Sequence, residues 1–236
     1  MLITLYNERE IYSFSNRLGL FYITGLGNID TGKFSISSRE VEIGSRIFRT
    51  RESTLEDVFS SIERGPQIVM PKDVSYIGFE IDLPLCTKML EIGGGSGSFS
   101  ILASLMFRTK VVSYELDSEY SKLMRKNIRR FEMEEMIEVL NKDGMDADVK
   151  NFECAFIDNP EPWKFLNNDF DGTLKVASIL PTYSQAEQFS RFLIKKGFLV
   201  NVHEIIDVPI KLSTVGMRPE TSFLYHTGFI VSGKRC

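Results

Sequence analysis

The chain has 236 residues, of which 43% are hydrophobic and 25% charged, with a net charge of −4 and a sequence pI near 5.4. This is the composition of an ordinary globular protein with one large domain, or one domain and a small appendage, and it excludes a low-complexity chain. No run of about 18 apolar residues could cross a bilayer, and residues 1–12 mix polar with apolar side chains, so we expect a soluble, cytoplasmic protein without membrane contact.

The three cysteines, Cys86, Cys154 and Cys236, lie far apart in the chain. They lack the paired spacing of a zinc site and the density of a disulfide framework. We therefore expect free thiols and no bound metal. The net negative charge does not favour a nucleic-acid binder, because cations that neutralise phosphates supply most of the affinity of such proteins. Clustered basic residues can still form a local patch.

The first part of the chain consists of short apolar pieces separated by glycines. Residues 19–23, 34–37 and 46–48 have this character. Their spacing predicts a small antiparallel β-module, which we place at residues 1–52.

A second domain is predicted over residues 53–236. It begins with a short amphipathic helix at residues 54–62, for which Ser53 or Thr54 is the cap and acids occupy the first turn. From residue 88 onward apolar strands alternate with amphipathic helices, which is the signature of a mostly parallel sheet covered on both faces. The seven predicted strands are Lys88–Ile92, Lys110–Tyr114, Ile137–Leu140, Cys154–Ile157, 174–180, 199–206 and 229–232. A helix is also predicted over residues 183–196.

A glycine-rich turn follows the first of these strands. From Glu91 to Gly97 the pattern is Glu-x-Gly-x-Gly-x-Gly, whereas a dinucleotide fingerprint needs Gly-x-Gly-x-x-Gly and has Ser98 at its third glycine position here. The pattern suits close backbone approach to a ligand without phosphates, such as S-adenosylmethionine. A tight strand-to-helix turn without a ligand remains an alternative for this stretch alone.

Acidic residues lie at the ends of four successive predicted strands: Glu91, Glu115, Asp143 and Asp158. Ligands of such sheets lie beyond the carboxyl ends of the strands, so these acids are candidates for a binding site. Glu115 comes about 20 residues after the glycines, where a ribose-binding carboxylate is expected in this class of fold.

The segment from Asp158 to Trp163 reads Asp-Asn-Pro-Glu-Pro-Trp and follows the fourth predicted strand. Its prolines stiffen the turn and its tryptophan offers a flat surface. A carboxylate here could pair with a cationic cofactor or accept a proton from a substrate amine. A proline-rich surface loop with a packed Trp163 is an alternative. Asn159-Pro160 also partly imitates the Asn/Asp-Pro-Pro-Tyr/Trp motif of DNA amine methylases, but Glu161 separates the prolines.

The chain resembles the tRNA (adenine-N1)-methyltransferases that act on adenosine 58 of the T-loop, in particular their archaeal branch. The resemblance runs from about Gly65 to Arg235. It is carried by residues 65–73 with their Pro-Lys-Asp core, by 112–115, 158–163 and 180–185, and by 217–219 together with 226–229. Relatives commonly have an aromatic residue or histidine at the position of Met70 and often an arginine at that of Asp117, so this chain departs from the family pattern at both positions.

This resemblance implies a seven-stranded, doubly wound S-adenosylmethionine-dependent methyltransferase fold with a small N-terminal β-module. It implies that Asp158 is the catalytic carboxylate, that Glu115 holds the ribose and that Asp143 contacts the adenine amine of the cofactor. The full set of implied cofactor-binding residues is Gln67, Glu91, Gly93, Gly95, Ser96, Gly97, Ser98, Glu115, Asp143 and Asp158. It further implies a homotetramer acting on tRNA, with adenosine 57 as a second candidate target.

Two basic groups are candidates for contact with tRNA. One lies on the helix predicted after Glu115 and the other near the β-module: Lys122, Arg125, Lys126, Arg129 and Arg130, and Arg46, Arg49 and Arg51. Each group could equally be a solvated face. We assign no catalysis to the two histidines, His203 and His226, because a lone histidine is usually structural.

Two other functions stay open. A protein methyltransferase of the L-isoaspartyl repair type has a related fold and glycine motif, but it gives no reason for the segment from Asp158 to Trp163. A non-catalytic tRNA-binding partner subunit would be expected to lose the cofactor motif, which this chain keeps at Glu91 to Gly97.

Overall fold

The structure is a computed structural model, and it describes residues 1–36, 38, 40–65, 68–166, 174–214, 216–221 and 224–235. None of the helices in these ranges has the length and apolar character that a bilayer crossing needs. In the same ranges, no three His, Cys, Asp or Glu side chains are grouped so that they could hold a metal ion.

The N-terminal part is built from six strands around its own apolar core. These strands are β1 (Leu2–Tyr6), β2 (Ile11–Ser15), β3 (Leu20–Ile23), β4 (Gly27–Asp30), β5 (Val41–Ile43) and β6 (Arg46–Glu52). Four of them form an antiparallel sheet in the order β2-β1-β6-β5, and β3 and β4 form a separate hairpin. Alternating residues such as Leu5, Phe14 and Phe48 are buried in the core between them.

The predicted β-module is therefore present, with differences in its elements. The strand predicted at residues 34–37 is wrong, since residues 34–36 are not in a strand and Ser37 lies outside the described residues. The first strand, Leu2–Tyr6, was not predicted because Asn7, Glu8, Arg9 and Glu10 obscure the apolar pattern of the segment; they form the turn to β2. The domain boundary between residues 52 and 53 stays a prediction.

Two helices lead from the N-terminal part into the large sheet. Helix α1 (Leu55–Ser61) is capped by Thr54, whose hydroxyl accepts a bond from the backbone N–H of Asp57 while the Asp57 carboxylate accepts one from the N–H of Thr54. Helix α2 (Pro71–Glu80) begins with a proline, whose fixed φ and missing N–H suit the first helical position.

The large sheet has seven strands in the order β12-β15-β11-β10-β7-β8-β9. Its elements in chain order are β7 (Lys88–Ile92), α3 (Ser98–Phe107), β8 (Lys110–Tyr114), α4 (Ser118–Arg130), β9 (Ile137–Leu140), β10 (Cys154–Ile157), β11 (Lys175–Leu180), α5 (Tyr183–Lys195), β12 (Leu199–Glu204), the hairpin β13 (Ile210–Ser213) and β14 (Gly216–Pro219), and β15 (Phe229–Lys234). Strand β15 runs antiparallel to both of its neighbours, and the remaining pairs are parallel.

This arrangement confirms the α/β prediction of a seven-stranded sheet. The first four predicted strands have the observed bounds, and the other three differ by one or two residues at one end. One apolar cluster packs on each face of the sheet; on one face the rings of Phe99 and Phe156 stack with centroids 3.9 Å apart. The order puts β7 and β10 side by side, so the turns that follow them meet at one edge of the sheet.

The expectation of free thiols is wrong for two of the three cysteines. Cys86, just before β7, and Cys154, at the start of β10, are joined in a disulfide with Cα atoms 6.5 Å apart. They are separated by 68 residues in the chain, so their spacing gave no sign that the pairing of β7 with β10 brings them together. Cys236 lies outside the described residues.

Candidate active site

A cavity of about 420 Å³ opens at the carboxyl edge of β7, β8 and β10. This volume is in the range that small-molecule ligands occupy. The residues lining it are Ile68, Val69, Asp73, Ile92, Gly93, Gly95, Tyr114, Glu115, Leu116, Tyr120, Asp143, Gly144, Asp158, Asn159, Pro160, Phe165, Ile179, Pro181 and Thr227. Four of these are acids and none is Lys or Arg, so the described lining suits a cationic ligand and disfavours a phosphate.

The glycine turn forms one wall of the cavity. Gly93, Gly95 and Gly97 all have positive φ values, 86°, 54° and 82°, which glycine adopts without strain. A Cβ at Gly93 would lie closer than 3.0 Å to the carbonyl oxygen of Asp158, whereas a Cβ at Gly95 would meet no protein atom within 4 Å. The turn therefore packs tightly against the Asp158 segment at Gly93 and leaves open space at Gly95.

Helix α4 holds the same turn from behind. A Cβ at Gly97 would lie 2.9 Å from Cγ of Met124, so only glycine fits there without a shift. One turn further along the helix, Nδ2 of the buried Asn127 donates to the carbonyl oxygens of Ser96, at 2.8 Å, and of Glu63, at 2.9 Å. The amide thus ties the glycine turn to the segment that leads towards α2.

Glu115 follows β8 and is nearly buried at the cavity wall. Its Oε2 accepts a bond from the backbone N–H of Gly95 at 2.8 Å, and its Oε1 accepts one from the N–H of Asp117 at 2.8 Å. These two bonds fix the carboxylate beside the glycine turn, and each oxygen keeps a lone pair for a ligand hydroxyl.

Asp158 follows β10 on the opposite wall. Its backbone N–H donates to the carbonyl of Ile92 at 2.8 Å, which fixes the residue next to the glycine turn. The residue is exposed to the open cavity, while protein atoms packed around its carboxylate displace part of the surrounding water. This partial desolvation, with a smaller contribution from the negative charge of Glu115, raises the pKa of Asp158 to about 6. The group is therefore mostly ionised at neutral pH and remains basic enough to accept a proton.

The turn after Asp158 is held at both ends. Oδ1 of Asn159 accepts a bond from the N–H of Glu161 at 2.9 Å, and Nε2 of Gln185 on α5 donates to the carbonyl of Pro160 at 3.2 Å. Trp163 is half-buried and packs against an apolar cluster of the sheet rather than lining the cavity. This is the structural alternative considered for the tryptophan.

The predicted site residues fall into three groups. Lining the cavity are Gly93, Gly95, Glu115, Asp143 and Asp158; outside its lining are Glu91, Ser96, Gly97 and Ser98; and Gln67 lies outside the described residues. Asp143 also caps a short helical turn, where its Oδ1 accepts a bond from the N–H of Met145 at 2.9 Å. The cofactor roles of all ten residues stay predictions.

Glu91 is fully buried beneath the turn, where its carboxyl group bonds the hydroxyl of Ser100. Burial raises its pKa to about 8, so it is mostly protonated at neutral pH. The protonated carboxyl group of Glu91 supports the glycine turn from inside the sheet. This structural role differs from that of an ionised carboxylate that contacts a ligand. The sequence did not distinguish these two roles of Glu91, because both faces of a strand in a parallel sheet are buried.

Several cavity residues were not singled out by sequence. Tyr120, on α4, and Phe165 give no motif of their own. Lys72 lies beside the cavity, where its Nζ donates to Asp73 Oδ1 at 2.7 Å, to the carbonyl of Ile205 at 2.7 Å and to Thr227 Oγ1 at 2.6 Å. This ammonium joins α2 to the C-terminal segment and explains why the Pro-Lys-Asp core needs its lysine.

His226 bridges the same C-terminal segment to two strand ends. Its Nδ1 lies 2.6 Å from Glu204 Oε1 and its Nε2 lies 3.1 Å from the carbonyl oxygen of Pro181. The bond to Glu204, and then the one to Pro181, raises the pKa of His226. These contacts order the cavity wall, in agreement with the structural role expected from the sequence.

The two basic groups are less available than the sequence suggests. Arg130 is buried, and its Nε donates to the carbonyl of Ser13 at 2.8 Å, because the N-terminal part covers this end of α4. Burial lowers its pKa to about 10. Arg46 and Arg51 form ion pairs with acids of their own surroundings. The exposed members of the two groups are Arg49, Arg51, Lys122, Arg125 and Arg129.

Fold and cavity together define a class: a seven-stranded α/β methyltransferase fold whose acid-lined cavity faces a glycine turn. Residues 40–227 match the family model described as tRNA methyltransferase complex GCD14 subunit, and the chain belongs to this family.

Known methyltransferases are similar to the chain in sequence or in structure. The tRNA (adenine(57)-N(1)/adenine(58)-N(1))-methyltransferase TrmI of Methanocaldococcus jannaschii is 27% identical, over 76% of this chain and 75% of that protein. The structure of tRNA (m1A58) methyltransferase TrmI from Aquifex aeolicus has a TM-score of 0.75 at 24% identity, covering 100% of this chain and 97% of that one. A SAM-dependent O-methyltransferase from Thermotoga maritima has a TM-score of 0.78 at 22% identity, covering 99% and 92%. At these identities the two structures support the fold.

Proposed function

We propose that this chain is an S-adenosylmethionine-dependent enzyme that methylates N1 of adenine in the T-loop of tRNA, at position 58 with position 57 as a second candidate. The observation that carries the proposal is the carboxylate of Asp158, held in an acid-lined cavity beside the glycine turn. Family membership and the activity for which the similar TrmI proteins are named support the choice of RNA and base.

The cavity fits S-adenosylmethionine by its charge and its shape. The open space at Gly95 admits a ligand against the backbone, and Glu115 offers a fixed carboxylate for ribose hydroxyls. Asp143 lies on the same wall and is proposed to bond the cofactor's adenine amine. When bound, the cofactor supplies an electrophilic methyl group on a positively charged sulfur.

Asp158 is proposed to act on the target base. Adenine N1 is a weak nucleophile, and alkylation there makes the 6-amino group more acidic. A carboxylate bonded to that amino group stabilises the developing positive charge and can take the proton, and a base with a pKa near 6 suits this task at neutral pH. Ile179, Pro181 and Phe165 give the cavity an apolar side that limits access of water.

The target adenosine must leave its stack to reach the cavity, which costs a few kcal/mol. We propose that exposed cations contribute to RNA binding and so offset this cost, with Arg49, Lys122 and Arg129 as the candidates. We also propose a homotetramer, in line with the resemblance. The exposed apolar residues of the β13–β14 hairpin support association, since Leu212 and Met217 are 76% and 72% exposed.

The test is nucleoside mass spectrometry of a tRNA transcript incubated with the protein and S-adenosylmethionine. We expect 1-methyladenosine in the T-loop for the wild type. The Asp158→Ala variant should fold and bind S-adenosylmethionine but lose most turnover, and the exposed Asp148 provides a matched Asp→Ala control that should keep it. A methyl ester on an isoaspartyl peptide, with no RNA product, would support the repair-type alternative; binding of tRNA without any methylation would support a partner subunit.

A further inference from the structure

Asn159 has an unexplained position in the cavity. It follows Asp158 directly, it lines the same cavity, and its side chain is half-buried. The neighbouring residues of the turn are a proline and an exposed glutamate, so Asn159 provides the turn's only uncharged polar side chain at the cavity wall among the described residues.

The orientation of the Asn159 amide is fixed. Its Oδ1 accepts the N–H of Glu161 at 2.9 Å, which closes an Asx turn. Pro160 and Pro162 restrict the backbone on either side of Glu161, and Gln185 holds the carbonyl of Pro160 from α5. With Oδ1 engaged, Nδ2 is the group left to meet a ligand, and it has no hydrogen-bond partner within the described ranges.

An amide and a carboxylate side by side match one edge of adenine. The 6-amino group carries two hydrogens, one on the N1 side and one on the N7 side, and N7 is an acceptor. A carboxylate at Asp158 that accepts the N1-side hydrogen leaves N7 and the other hydrogen on the side of the next residue. A fixed N–H donor there can bond N7, which pyrimidines lack.

We propose that Asn159 is a specificity-determining residue that donates its Nδ2–H to N7 of the target adenine. This inference rests on the proposed function and adds to it separate roles for Asn159 and Asp158 in recognising the base. Asn159 selects a purine by its N7, and Asp158 selects adenine over guanine, because guanine would place its O6 acceptor against the carboxylate.

The test replaces the target adenosine by 7-deazaadenosine, which has C–H in place of N7. For the wild type, kcat/KM should fall about 5- to 10-fold on the 7-deaza transcript, the cost of one neutral hydrogen bond. Asn159→Ser keeps an oxygen for the Glu161 N–H but has no donor at the Nδ2 position. Its kcat/KM on the normal transcript should fall by a similar factor, and the ratio between the two transcripts should be close to one.

Two further variants separate direct contact from disturbance of the turn. Gln185→Ala removes the support of Pro160 without removing the donor, so activity should fall while the wild-type ratio between transcripts is retained. Asn159→Asp keeps the shape of the side chain but turns an acceptor towards N7, so the preference should reverse in favour of the 7-deaza transcript. This reversal can be measured with Asn159→Asp even when Asn159→Ser is unstable.

The inference is overturned when the wild type methylates both transcripts equally, or when Asn159→Ser and Asn159→Asp keep the wild-type ratio. Failure of the proposed function gives a different result, since the wild type would then form no 1-methyladenosine on the unmodified transcript.

Discussion

From the tight contact between Gly93 and the Asp158 segment we predict how much stability a substitution of Gly93 costs. Substituting Gly93→Ala places a methyl group closer than 3.0 Å to the carbonyl oxygen of Asp158, at a residue with a φ of 86°. The left-handed backbone costs an alanine about 1–2 kcal/mol, and forcing a methyl group into packed surroundings costs about 1–3 kcal/mol more. We expect a loss of about 2–5 kcal/mol in the free energy of unfolding.

Two other glycines separate these contributions. Gly44, in the turn between β5 and β6, has a φ of 62°, and an added Cβ meets no atom within 4 Å. Gly95 has a φ of 54° and equally open surroundings, but it lines the cavity. Both Gly→Ala variants should lose only the backbone contribution of about 1–2 kcal/mol. For a chain of this length, 1 kcal/mol corresponds to roughly 2–4 °C in Tm.

Urea unfolding and methyl transfer measured on the three variants complete the test. Gly44→Ala should keep wild-type kcat and KM. Gly95→Ala should weaken S-adenosylmethionine binding, because its methyl group occupies space left for the ligand. Gly93→Ala should lower kcat, because Asp158 must move. Equal stability losses at Gly93 and Gly44, with normal kcat at Gly93, would refute the reasoning.

Two further predictions concern buried acids. The pKa of Glu91 is raised to about 8 in the folded protein, compared with 4.5 in the unfolded chain. The stability that this difference contributes is therefore fully present below pH 4.5 and is lost as the pH rises towards 8. Relative to Glu91→Gln, the wild type should therefore lose roughly 2–3 kcal/mol between pH 5.5 and 7.5 in urea unfolding, and parallel curves would contradict this. Glu115→Gln removes the charge that accepts the Gly95 N–H, so the Kd for S-adenosylmethionine in calorimetry should rise about 10- to 100-fold. The exposed Glu138→Gln on β9 is the control, and an equal effect there would contradict a local role.

Much of the large sheet was predictable because its signals are local. Each of these parallel strands is a short apolar run, and an acid lies at or near the carboxyl end of four of them. Since strand ends of a parallel sheet meet at one edge, the spacing of Glu115 and Asp158 was enough to place both at one cavity. The glycine pattern argued against a dinucleotide site, because Ser98 stands where the fingerprint needs its third glycine. The described lining of the cavity contains no Lys or Arg, which agrees with a ligand that has no phosphates.

The failures share a cause, which is that burial and proximity depend on distant parts of the chain. Arg130 lies on a helix where Lys122, Arg125 and Arg129 are exposed, and the docking of β2 buries it. Cys86 and Cys154 meet through the register of β7 and β10. The β13–β14 hairpin was not predicted, because each of its strands is only four residues long and all of their residues are exposed rather than packed on the core.

The central claim, that the Asp158 carboxylate assists methylation of adenine, is tested most directly by the pH dependence of methyl transfer. With limiting S-adenosylmethionine, kcat/KM of the wild type should fall tenfold per pH unit below about 6, because the protonated carboxyl group can no longer accept the amino hydrogen. Asp158→Asn should be about 100-fold slower or more, and its rate should not change over the same range. A variant as fast as the wild type, or a wild-type profile that is flat through pH 6, would contradict the account.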